Sequence, residues 1–279
     1  MTTPERLAVS TADGHRYDLI ACVPTHPQRC VLWLPALGVQ AKHYLPLANA
    51  LAANGVAVFL HEWRGHGSSD IRPSRQNTWG YREILQHDVP ASVLAARQRL
   101  PTQHLTLGGH SLGGQLACCY AALHPQLPEA LWLVASGTPG WHAFPAPRRY
   151  LLPLAYQFLP AIAKVQGVLH GHALGFGGTE ARGLIADWAA VGLSQRFAAN
   201  GLPIDLEQGM AAVTAPVTAI VMANDWLAPP SSMRALVGKL GGQVSLTTLD
   251  TRALGTAADH FAWMKSPQKV ASLLHCKNN

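Results

Sequence analysis

The run Gly109-His110-Ser111-Leu112-Gly113-Gly114 is bracketed by two different periodicities. Before it, Leu105 to Leu107 reads as a buried β-run. After it, Leu116 to Leu123 reads as a helix of small and apolar residues stopped by Pro125. A serine at so abrupt a strand-to-helix turn takes a strained backbone. The residues two before and two after it must then be nearly free of side chain for strand and helix to approach. Gly109, Gly113 and Gly114 meet that demand. The pattern fixes a strand–turn–helix unit and offers Ser111 as a nucleophile.

The rest of the chain repeats that unit. Apolar runs bounded by turn residues recur at Tyr17–Val23, Cys30–Pro35, Val56–Glu62, Leu105–Gly109, Ala130–Ala135, Val217–Ala223 and Val244–Leu249. Helical segments are expected at Tyr44–Asn54, Tyr81–Leu100, Ser111–Leu123, Ser231–Leu240 and Phe261–Leu274. Near-continuous apolar strands alternating with helices predict a mainly parallel α/β sheet covered on both faces, its first strands forming an antiparallel edge. From Gly137 to Val213 no strand is legible, and Pro139, Pro145, Pro147, Pro153 and Pro160 punctuate aromatic and aliphatic patches. A structureless loop of that length is uncommon in a compact domain. A helical cap over 137–212 is therefore expected, inserted in a core made of 1–136 and 213–279.

Composition removes several function classes. With 48% hydrophobic and 13% charged residues the chain suits a sizeable packed core. The net charge of +6 comes from scattered Arg and Lys with no basic–aromatic run, so nucleic acid is not an expected partner. Five cysteines, two of them adjacent, lack metal-ligand spacing and suit reduced, packed thiols. No metal is implied. The first residues carry no apolar signal core, so a cytoplasmic location is the expectation. Tyr150-Leu-Leu beside Arg148, Arg149 and Lys164 could touch a membrane surface, but core-facing packing in the cap is the expected fate, and membrane contact is not.

A serine hydroxyl needs a general base within reach and a carboxylate to orient that base. After a Gly-x-Ser-x-Gly elbow the order is serine, acid, histidine. Asp225 follows the strand Val217–Met222 in a Pro-rich turn, at the sheet edge where ligands collect. His260 follows the next strand in Asp-His-Phe. Asp205 and Glu207 are weaker rivals for the acid, and Asp259 reads as a helix N-terminal residue. For an oxyanion, backbone N–H donors are expected from Leu112, at the start of the helix after the serine, and from Leu37, in the turn after Cys30–Pro35.

These motifs resemble the α/β-hydrolase superfamily over essentially the whole chain. The elbow around Ser111, Arg64-Gly65-His66-Gly67-Ser68-Ser69 after a strand, Asp225 before Pro229, and Asp259-His260-Phe261 stand in that family's order. Many relatives carry His-Gly where this chain has Pro35-Ala36. A closer similarity is to bacterial hydrolases of unsettled substrate, through Ala36-Leu-Gly-Val39 and the cap stretch Leu174-Gly-Phe-Gly177. The resemblance implies an eight-stranded sheet and a serine hydrolase that cleaves an ester or thioester of a small or apolar acyl substrate, with no cofactor. Acyl transfer or C–C bond hydrolysis by the same triad, and a non-catalytic ligand-binding role on the scaffold, stay open, as does the oligomeric state.

Overall fold

The computed structural model describes residues 3–175 and 177–275. Cys276 and Phe176, both singled out in the sequence, lie outside the described residues, as does the side chain of Leu174. Eight strands form one sheet: β1 (Glu5–Ser10), β2 (Arg16–Cys22), β3 (Arg29–Leu34), β4 (Val56–Leu60), β5 (Leu105–His110), β6 (Leu131–Val134), β9 (Val217–Met222) and β10 (Val244–Leu249). Their spatial order is β1-β2-β4-β3-β5-β6-β9-β10. The β1–β2 and β2–β4 pairings are antiparallel and all others parallel, so the antiparallel edge lies where it was expected.

The central strands are buried on both faces because their alternate side chains feed two separate cores. Cys30, Leu32 and Leu34 of β3 join one, together with Ala57 and Phe59 of β4. Val31 and Trp33, with Val56, Val58 and Leu60, join the other. The first is closed by α3 (Val89–Arg99) and α4 (Leu112–Leu123). The second is closed by α1 (Leu45–Ala52) and α10 (Gln268–His275). The helix expected from Tyr81 is α2 (Tyr81–Glu83) running through a π-turn at Ile84–Asp88 into α3. The helix expected from Phe261 is broken. A 3-10 turn at Ala262–Lys265 precedes α10, and Ser266 leaves helical geometry because it stands before Pro267.

Between β6 and β9 the chain forms α5 (Arg148–Gln166), α6 (Arg182–Ser194) and α7 (Leu206–Ala211). A small antiparallel pair, β7 (Val168–His170) with β8 (Thr179–Ala181), departs from the strandless segment expected there. Helix α5 runs straight through Pro153 and Pro160, which fall seven residues apart and so on one side of the helix. Two more helices, α8 (Pro230–Val237) and α9 (Thr251–Leu254), follow β9 and β10.

Candidate functional site

Ser111 adopts φ 55° and ψ −121°, a backbone conformation rare for any residue with a side chain. The surrounding glycines are obligatory. A Cβ on Gly109 would lie 2.3 Å from the Gly113 carbonyl carbon, and one on Gly113 would lie 2.0 Å from the Leu34 carbonyl oxygen. The elbow is also bonded into the sheet. Ser111 N–H donates to the Val134 carbonyl at 3.2 Å, and the Ser111 carbonyl accepts from the Ser136 hydroxyl at 2.7 Å. The serine is thereby held at the C-terminal edge of β5, between the loops that leave β3 and β6.

The acid and the base arrive at the same edge. Beyond β9, Asp225 is buried, and one of its oxygens, Oδ1, accepts from the backbone N–H groups of Leu227 and Ala228 at 2.8 and 2.9 Å. The other, Oδ2, lies 2.7 Å from His260 Nδ1. That contact requires the proton on Nδ1 and leaves Nε2 as the free acceptor. Asn224 N–H donates to the Ala258 carbonyl, tying the acid's turn to the histidine's. Trp263 Nε1–H donates to the His260 carbonyl, and Asp259 accepts from the Phe261 and Ala262 N–H groups, which fixes the residues on both sides of the imidazole. Ser111 and His260 line one cavity of about 430 Å³.

Leu37 and Leu112 line the same cavity. Among the described residues neither backbone N–H has a hydrogen-bond acceptor, so both are available to a ligand oxygen. The neighbouring Ala36 N–H is different: it donates to Tyr44 Oη at 2.8 Å, and the same hydroxyl is hydrogen-bonded to His110 Nδ1 at 2.8 Å. Burial pulls the His110 pKa well below its usual value, and the His260 ring, 4.7 Å away, acts in the same direction. Tyr44 therefore joins the loop that carries Leu37 to the elbow that carries Ser111. Nothing in the sequence marks it, because its contacts are with a backbone amide and a side chain 66 positions away.

The remaining sequence candidates have structural duties. Asp205 caps α7, and Glu207 pairs with Lys239 at 2.7 Å. Arg64 lies between Asp13 and Asp88, bonded to both. A Ser–His–Asp chain runs beside it: Ser69 Oγ is 2.9 Å from His15 Nε2, and His15 Nδ1 is 3.0 Å from Asp88. All three are buried, and Ser69 Oγ accepts from Gly65 N–H at 3.0 Å. The loop resembling the family's rim turn is thus held by an internal polar network.

Residues of the segment between β6 and β9 form much of the cavity wall. Gly38, at φ 74°, backs onto the Gly177–Gly178 peptide so closely that a Cβ would lie 2.2 Å from it. Gly38 and Gly177, one from each of the two stretches that resemble the bacterial hydrolases, are therefore spatial neighbours. Glu180, also buried, accepts from Gly178 N–H at 2.6 Å and lies 3.3 Å from His66 Nε2, which adds a polar tie between cap and core. The cavity wall is mostly apolar: Leu37, Phe144, Leu152, Leu159, Trp188 and Phe261 contribute, with Gln115, Thr138 and Arg148 as polar interruptions.

The profile of the family described as Serine aminopeptidase, S33 matches residues 25–191, more than half of the chain. A monoglyceride lipase homolog of Monkeypox virus is 28% identical over 113 residues, spanning 40% of this chain and only 39% of that relative. A solved hydrolase from Pseudomonas aeruginosa PA01 superposes with a TM-score of 0.66 at 20% identity, over 97% of each chain. The thioesterase domain from the curacin biosynthetic pathway gives 0.63 at 19% identity, covering 98% of this chain and 100% of that one. Est1E from Butyrivibrio proteoclasticus, solved with ferulic acid, gives 0.62 at 15% identity, covering 95% and 96%. At these identities the superpositions establish the fold.

Proposed function

The chain belongs to the serine aminopeptidase S33 family of α/β-hydrolases, and on that premise we propose that it cleaves esters or thioesters of an apolar acyl group through Ser111, His260 and Asp225. The carrying observation is the wall that Ser111 shares with the Asp225-bonded His260. Among the described residues none lining that cavity is an Asp or Glu, and Arg148 is the one Lys or Arg there. A free α-amino group calls for a carboxylate partner, so this wall suits an apolar acyl chain better than a peptide N-terminus. The volume falls in the roughly 300–1,000 Å³ range of small-ligand sites.

In this reading His260 Nε2 takes the Ser111 hydroxyl proton as Oγ attacks the acyl carbonyl carbon. Asp225 holds the imidazole with its proton on Nδ1 and stabilises the imidazolium that forms. The N–H groups of Leu37 and Leu112 receive the developing oxyanion, assisted at Leu112 by the N-terminus of α4. Collapse expels the alcohol or thiol, which takes the proton from His260. Water then attacks the acyl-enzyme with the same histidine as base, freeing the carboxylic acid and restoring Ser111. No step calls on a cofactor.

The test is turnover of p-nitrophenyl esters from C2 to C16 by wild type and Ser111→Ala, beside fluorophosphonate labelling of both. Turnover and labelling lost together in Ser111→Ala are the expected result. Equal turnover by the two proteins overturns the mechanism. A folded wild type that refuses the label favours a binding role.

A further inference from the structure

Helix α5 is apolar on two opposite sides, and only one of them is covered. Tyr156 and Ala163 face the interior, while Leu152, Ala155 and Leu159 line the cavity. On the other side Tyr150, Leu151, Leu154, Phe158, Ile162 and Val165 are exposed, Leu151, Phe158 and Val165 by 63, 62 and 71%. At 100° per residue these six fall within one third of the helix circumference, in a straight stripe about 22 Å long. The sequence expectation that Tyr150 and Leu151 pack inward is thereby corrected. Their positions lie on the arc opposite Tyr156.

Stripe and site are continuous. Leu151 belongs to the stripe and also lines the cavity; Trp226 and Phe261, likewise exposed, form the cavity's other rim. The charge around the stripe has one sign. Arg148, Arg149 and Lys164 lie on α5, which contains no acidic residue. Arg75 donates to the Val165 carbonyl at its C-terminal end, and Arg182 donates to the Arg75 carbonyl. Of the cap carboxylates, Glu180 and Asp187 are buried, and Asp205 and Glu207 pair with Arg196 and Lys239. No helix among the described residues is long and apolar enough to cross a membrane. A linear apolar stripe with a cationic fringe matches the interfacial plane of an anionic bilayer, where such helices lie flat with their apolar side in the acyl boundary.

We infer that the outer face of α5 docks the protein on an anionic lipid surface, with the cavity mouth turned toward the acyl chains. This goes beyond the proposed hydrolysis and does not depend on it. An apolar substrate would pass from lipid to the cavity along Leu151 without crossing water.

The experiment is co-sedimentation of the full chain with vesicles of phosphatidylcholine alone or with 30% phosphatidylglycerol, at low and at 0.5 M salt. Wild type is expected to bind the anionic vesicles and to lose at least ten-fold in partitioning at high salt or on pure phosphatidylcholine. Lys164→Glu should weaken binding at least five-fold, about 1 kcal/mol per cation lost at such a surface. Phe158→Ser/Val165→Ser, neither residue lining the cavity, should weaken it at least ten-fold, with thermal midpoint and labelling of Ser111 unchanged. Equal binding by wild type and the double variant overturns the inference. So does a wild type that sediments alone as a dimer which the double variant splits, since the face is then covered by a second copy.

Discussion

Asp225→Asn separates orientation from packing more sharply than any other substitution at the site. Oδ1 of Asp225 is fixed as an acceptor by two backbone donors, Leu227 and Ala228 N–H. An asparagine there must place its carbonyl oxygen on those donors, which turns its NH₂ toward His260 Nδ1. The imidazole must then accept at Nδ1 and carry its proton on Nε2, the atom that has to receive the serine proton. Wrong-tautomer substitutions of this kind lower kcat by about 10⁴-fold, close to 5.5 kcal/mol of barrier. The fold should be spared, since both backbone bonds survive. Asp225→Ala has the opposite profile. It leaves two amides without their acceptor, at a cost of about 1–3 kcal/mol each, but lets His260 adopt either tautomer. The expected result is a crossing: Asp225→Asn is the more stable variant and no more active than Asp225→Ala. Burst and steady-state kinetics on a soluble p-nitrophenyl ester, with denaturant unfolding of both proteins, measure it. An Asp225→Asn enzyme retaining more than a tenth of the wild-type kcat refutes the assignment of Asp225 as the orienting acid.

Tyr44→Phe removes the hydroxyl that joins Ala36 N–H to His110, and kcat should fall at least ten-fold with KM little changed, because only transition-state contacts at Leu37 are loosened; an unchanged kcat in a folded variant excludes that role. His61 is buried and its pKa is pulled down to about 3 by burial, against the pull of Asp88 in the other direction. Below pH 6.5 the unfolded chain takes up a proton that the folded ring refuses. This contribution to stability is therefore complete above about pH 6.5 and is lost toward pH 3, at up to about 1.4 kcal/mol per pH unit. Urea midpoints at pH 7, 6 and 5 should fall more steeply for wild type than for His61→Gln, and parallel slopes would count against it. Gly38→Ala forces a methyl into the Gly177–Gly178 peptide from a positive φ, so it should cost at least 2 kcal/mol in denaturant unfolding and lower turnover together; a wild-type midpoint would show that cap and turn can separate freely.

The sheet was legible because its central strands are buried on both faces and write themselves as unbroken apolar runs. Leu105–Leu107, Val56–Leu60 and Val217–Met222 could hardly be anything else. Strand β1 was not, since Glu5–Ser10 is an edge strand with four exposed residues and little apolar signal. The pair β7–β8 has three residues per strand, too short for period-2 alternation to register. That Ser111, Asp225 and His260 each follow a strand at the same sheet edge was legible through local context. That Leu37 lies in the turn after β3 and Leu112 at the start of α4 was likewise legible. Tyr44 and Glu180 were not, because the imidazoles they meet, His110 and His66, lie 66 and 114 positions away, where no local pattern announces them.

The Ser69–His15–Asp88 chain shows where residue pattern stops and environment decides. Ser69, His15 and Asp88 reproduce the connectivity of a triad within 3.0 Å at each step. Yet Asp88 is already gripped twice by Arg64, and Ser69 Oγ is tied to the Gly65 amide in a buried turn. Their polar groups are bonded to one another and to neighbours inside the fold, and all three side chains are buried. Ser111 differs in what is left unsatisfied: a strained backbone that projects it from the sheet, a cavity in front of it, and two amides without partners on either side. Satisfied polar groups hold a fold together, whereas unsatisfied ones held rigidly beside an opening are what a reacting carbonyl can use. On the proposed mechanism Ser111 carries the chemistry, so replacing Ser69 with alanine should cost stability while leaving fluorophosphonate labelling intact.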